Sequence, residues 1–136
     1  MSAKTGPYLR LQLVWLMVGY ALVALVVYLS LTSSPVELEM DVPYQDKLFH
    51  ALAYFTLMAW FSQIYHDSFK RKIIAMFFIL MGIALEYLQS FEPTRYYEIA
   101  DMAANVTGVL LGLAFSASRA KNILLGVEKY LTKSGL

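Results

Sequence analysis

Residues 73–90 read IIAMFFILMGIALEYLQS. A run of apolar residues and one glycine, from Ile73 to Leu85, leads into a carboxylate, Glu86. As a helix rising about 1.5 Å per residue, the stretch nearly crosses a hydrocarbon core of roughly 30 Å. An ionisable group within such a span costs about 2.5 kcal/mol or more, so it marks a functional site by default. The stretch therefore predicts a membrane-crossing helix with chemistry near its end.

Three further runs flank it. Leu11–Leu31 holds no charged residue, 48–65 is shorter, and 97–116 carries Asp101 within it, past Glu98 at its edge. The fold expected is all-α: an integral membrane four-helix bundle with short loops, one domain over 1–136. Its spans lie at about 11–31, 48–65, 73–90 and 97–116, followed by a cytoplasmic tail, 117–136. The chain is 59% hydrophobic and 15% charged over 136 residues, against about 45–50% and about 25% in a soluble domain. Mean hydropathy is +0.54. A net charge of +1 without a basic stripe argues against a nucleic-acid partner. The absence of cysteine excludes disulfides and thiolate chemistry. Lys4 and Arg10 before the first run resemble the start of a signal peptide, but its apolar core exceeds the usual roughly 7–15 residues, and an uncleaved anchor is expected.

Basic residues set the orientation. Lys4 and Arg10, then Lys70, Arg71 and Lys72, then Arg119, Lys121, Lys129 and Lys133 place nine of the eleven on one side. The positive-inside rule makes that side cytoplasmic, so both termini are cytoplasmic and the protein is a multi-pass protein of the cytoplasmic (inner) membrane. Trp15, Trp60 and Tyr65 mark the inner interface, and Tyr28, Tyr87, Tyr96 and Tyr97 the outer one. In the tail, Ile123, Leu124, Val127, Tyr130 and Leu131 recur at near-helical spacing. They suit either an amphipathic helix lying on the cytoplasmic leaflet or a continuation of the fourth helix into solution.

This orientation brings polar residues from three helices to the outer level. Asp46, Lys47 and His50 open the second helix, with Tyr54 a turn deeper on the same broad face. Glu86 and Gln89 end the third, Arg95 lies in the outer loop, and Asp101, Asn105 and Gly108 start the fourth. Each has a structural alternative. Asp46 and Asp101 suit helix N-termini, Lys47 can snorkel, Asn105 can bond a neighbouring helix, and His50, Tyr54 and Gln89 can simply pack. Glu86 resists this reading, because a helix C-terminus disfavours negative charge and an apolar span demands a partner, a proton or water. Ala100, Ala104, Gly108, Gly112 and Ser116, each four apart, let two backbones approach closely. Packing within the bundle is the favoured use, and a homodimer seam is the alternative.

Taken in order, Asp46-Lys47-x-x-His50, Tyr54, Glu86-x-x-Gln89, Arg95 and Asp101-x-x-x-Asn105-x-x-Gly108 resemble the VanZ-like family over roughly residues 46–112. The resemblance implies a small integral membrane protein with these residues near helix ends. The family's founding member is associated with teicoplanin resistance.

Two functions follow as expectations. In the first, the outer pocket binds or modulates a membrane lipid headgroup, a lipid-linked envelope precursor or a glycopeptide antibiotic. Lys47, His50 and Arg95 would face its anionic part, and Asp46, Tyr54, Glu86, Gln89, Asp101 and Asn105 would complete the site. In the second, Glu86 and Asp101 are an intramembrane acid–base pair with His50 as proton shuttle, hydrolysing or transferring a lipid-linked substrate. His50, Glu86 and Asp101 are donor types that suit divalent ions. No spacing such as H-E-x-x-H appears, however, and no metal is expected; the sequence names no cofactor.

Overall fold

The computed structural model describes residue 9 and residues 11–31, 45–91, 99–117 and 122–133. Five helices carry them: α1 Gln12–Leu31, α2 Gln45–Ile64, α3 Ser68–Gln89, α4 Ile99–Phe115 and α5 Ile123–Lys133. The described residues contain no strand. α1 and α3 are long and apolar enough to cross a membrane, and α4 is a shorter apolar helix.

α2 is the central element. Its Tyr54, Leu57, Met58 and Phe61 form the core with Ala75 and Phe78 of α3 and Val109 of α4. Leu16, Leu22, Val23 and Val26 of α1 pack on this cluster from outside. The α2–α4 interface is the most extensive in the molecule, and small residues make it so. A Cβ on Gly108 would collide with the Ala51 carbonyl, and one on Gly112 would lie 2.7 Å from Met58 Cβ. The small-residue face of α4 is thus used inside the chain, as its spacing favours.

Large apolar side chains face outward as well as inward, and several polar ones are buried. Leu13, Met17 and Tyr20 of α1, Phe69, Met76, Phe77 and Leu80 of α3, and Leu110 and Leu111 of α4 are exposed. Ser62, Gln63, Arg71, Glu86, Asp101, Asn105, Ser116 and Glu128 are buried. Exposed apolar side chains on α1, α3 and α4 in this number exceed what a water-facing surface ordinarily shows.

The helix boundaries refine the expected ones. α2 begins at Gln45 rather than 48, and α3 at Ser68 rather than 73. Lys70, Arg71 and Lys72 therefore lie in the first turns of α3, not in a loop. Hydropathy ends a segment at its first charge, whereas Lys and Arg are good helix formers. Arg71 is buried here. Its Nε donates to the Tyr65 carbonyl (2.8 Å), Nη2 to Ser62 (2.6 Å) and Nη1 to Ser116 (3.1 Å).

The tail does not continue the fourth helix. α4 stops at Phe115, residues 116–117 turn, and α5 packs back on α2. Polar contacts fix it there. The Leu124 N–H donates to Gln63 Oε1 (3.1 Å), capping the start of α5. Glu128 Oε2 accepts from the Leu11 N–H (2.9 Å) and from Trp15 Nε1 (2.6 Å). A carboxylate at the start of α1 also complements that helix's dipole. The indoles expected at the inner interface are both engaged within the protein: Trp15 by Glu128, and Trp60 Nε1 by the Trp15 carbonyl (2.9 Å). Ile123, Val127 and Tyr130 form the outward apolar face of α5.

Candidate functional site

Alternating helix directions bring the start of α2, the end of α3 and the start of α4 to one end of the bundle. On α2, Lys47 and His50 are three residues apart and share a face, with buried Tyr54 a turn below. On α3, Glu86 is only 2% exposed. On α4, Asp101 sits in the first turn, where the free N–H groups and the dipole favour its charge.

The side chains converge. Lys47 Nζ lies 3.1 Å from Asp101 Oδ1. His50 Nε2 lies 4.0 Å from the other oxygen, Asp101 Oδ2. One ligand atom each from His50, Glu86 and Asp101 lie within 4.8 Å of one another. Asn105, a turn beneath Asp101, is 3% exposed, and its Oδ1 has no hydrogen-bond partner. Its amide lies against Gly82, a turn beneath Glu86: a Cβ there would sit 3.1 Å from Asn105 Nδ2 and 3.4 Å from Tyr54 Cε1. Gly82, Tyr54 and Asn105 thus pack together as a floor beneath the cluster of Lys47, His50, Glu86 and Asp101. The arrangement offers one ammonium and one imidazole, both partly exposed, and two buried carboxylates, a set suited to an ionic headgroup, to proton transfer or to a cation.

Not every candidate joins it. Gln89 is turned away, its Nε2 donating to the Ser30 carbonyl at the end of α1 (2.7 Å), so it ties α3 to α1. Asp46 lies in the first turn of α2, but its side chain falls outside the described residues, as does Arg95 altogether. Ala104, next to Asn105 on α4, is half-buried. Gly82 went unread in the sequence; its signal is its place one turn before Glu86, where a missing side chain makes room beside a buried carboxylate.

No family model, no curated protein and no solved structure matches the chain.

Proposed function

We propose that the chain is a four-span integral membrane protein whose recess opens at the outer leaflet and binds an anionic lipid headgroup or lipid-linked envelope molecule. The VanZ-like resemblance, with its link to a glycopeptide antibiotic, is part of this proposal. The observation that carries it is the convergence of Lys47, His50, Glu86 and Asp101 at one end of a bundle with an apolar exterior. α4 is apolar but short, at 17 residues, and α2 carries polar groups along its length; such groups are tolerated in a membrane where they face one another inside the protein. α5, with Ile123, Val127 and Tyr130 outward, suits the cytoplasmic leaflet.

The topology is read by reporter fusions. Fusions after Ser34 and Ser90 report an external location, and one at His66 a cytoplasmic one. A cytoplasmic signal after Ser90 would put the recess on the wrong side and end the proposal.

Binding is read by native mass spectrometry of the detergent-purified chain with a bacterial lipid extract that contains lipid-linked cell-wall precursors. Saturable adducts are expected. Glu86→Gln keeps the side chain's shape but loses its charge. It should weaken the adducts about tenfold, the effect of losing one charge-assisted contact of about 1.4 kcal/mol to a hydroxyl or amine of the headgroup, while its melting curve still shows a folded protein. Equal binding by both proteins would remove Glu86 from the site. The close carboxylates and imidazole also support an intramembrane hydrolase or transferase. Conversion of a bound lipid that disappears in Asp101→Asn would select that reading.

A further inference from the structure

We infer that His50, Glu86 and Asp101 form a centre for one divalent transition-metal ion, of the Zn2+ or Mn2+ class, open on its Lys47 side to an anionic ligand. The inference shares its recess with the proposed function and is tested without any lipid, so either can fail alone.

The donor set comes first. One imidazole and two carboxylates are a mixed nitrogen–oxygen set that suits zinc and manganese better than calcium, which takes oxygen ligands alone. Three protein ligands that leave a position open are the pattern of catalytic rather than structural sites. Geometry follows. The ligand atoms lie within 4.8 Å of one another. Bonds of about 2.0–2.1 Å to a tetrahedral ion bring ligand atoms to roughly 3.4 Å apart. Closure of up to about 1.4 Å is needed, within reach of side-chain rotations.

Lys47 does not occupy this position. It approaches Asp101 through Oδ1, at 3.1 Å. The oxygen nearer His50 is Oδ2, at 4.0 Å from Nε2, and that oxygen faces the proposed ion. Asp101 thus divides its two oxygens between an ammonium and a metal. Burial strengthens the case: Glu86 and Asp101 are crowded where little water reaches them, and a cation between them offsets both like-charge repulsion and desolvation. Independently, the floor carries a polar atom awaiting a partner, Oδ1 of Asn105, in a side chain 3% exposed. A water or ligand atom held by the ion would meet that need. The motif escapes a sequence scan because the three ligands come from three helices, with successive donors 36 and 15 positions apart.

The test uses the full chain in detergent, stripped with chelator and titrated with Mn2+, with free ion read by electron paramagnetic resonance. One saturable site per chain is expected. His50→Ala and Glu86→Gln should each weaken it about 100-fold or more, since even changes to residues that only support metal ligands cost about 10–100-fold. His66→Ala should leave it intact. Pulsed resonance of bound Mn2+ should show a histidine nitrogen coupling that survives in His66→Ala and vanishes in His50→Ala. Melting curves of the stripped variants identify any that fail to fold, and Glu86→Gln, which keeps the side chain's shape, decides in that case. No saturable site, equal affinity in Glu86→Gln, or no histidine coupling in the parent would each overturn the inference.

Discussion

Gly108→Ala is expected to destabilise the chain severely, although glycine to alanine within a helix ordinarily stabilises by about 1 kcal/mol. The sign reverses because of what the new methyl meets. At Gly108 it runs into the carbonyl of Ala51, with the Ala51 carbonyl carbon and the Phe55 nitrogen each at 3.0 Å. These are backbone atoms of the central helix and cannot rotate away. The two helices must separate, and their interface is the most extensive in the molecule. Overpacking costs about 1–3 kcal/mol where side chains can yield; with backbone on the other side, a net loss at the top of that range, about 3 kcal/mol, is expected. Against a total stability of roughly 5–15 kcal/mol, that loss is large. It also separates His50 from Asp101, so ligand affinity falls with it. Gly126→Ala is the control: nothing lies within 4 Å of its Cβ, and it should be neutral or slightly stabilising. The measurement is thermal unfolding in detergent by circular dichroism. A Gly108→Ala protein as stable as the parent would mean that α2 and α4 do not approach as described.

The helices and the clustering of four polar side chains were legible in the sequence for one reason. Segments that bury polar groups inside an apolar exterior show long apolar runs with isolated charges, and alternating direction then assigns each charge to an end. Glu86, Asp101, His50 and Lys47 could be brought together by that argument alone. What could not be read is every contact whose partner is remote. Glu128 sits in a tail rich in lysine, and its partners Leu11 and Trp15 are 117 and 113 residues away. Gln89 shares a helix face with Glu86, yet a carbonyl of α1 captures it. Spacing tells which side chains can share a face, not which neighbour claims them. No spacing motif marks His50, Glu86 and Asp101 as metal ligands for the same reason, since such motifs describe ligands on one element.

Arg71 shows this most sharply, and its removal is the second large effect expected. As sequence it was one of three basic loop residues that set orientation. In the fold it joins two helix ends. The last carbonyls of an α-helix lack intrahelical partners and carry the negative end of the dipole. Arg71 meets this need at the end of α2 through Ser62 and Tyr65, and just past the end of α4 through Ser116. A guanidinium suits the task because its donors fan out in a plane and it is weakly hydrated; an ammonium is a compact charge that cannot span the same three acceptors. Arg71→Met keeps much of the packing but leaves three carbonyls unanswered. Hydrogen bonds to charged groups contribute about 1.5–3 kcal/mol each and are not additive, so a loss of about 3–4 kcal/mol is expected, with Arg71→Lys recovering less than half. Lys72→Met, at an exposed neighbour, should change stability by no more than about 0.5 kcal/mol. Because the contacts are buried, the Arg71→Met loss should persist in high salt, whereas a surface charge effect would be screened away. A full rescue by lysine, or a loss that salt abolishes, would reduce Arg71 to a topological charge. The distance of this junction from the recess separates the two large effects: Gly108→Ala should cost stability and affinity together, and Arg71→Met stability alone, with the affinity of the folded fraction preserved.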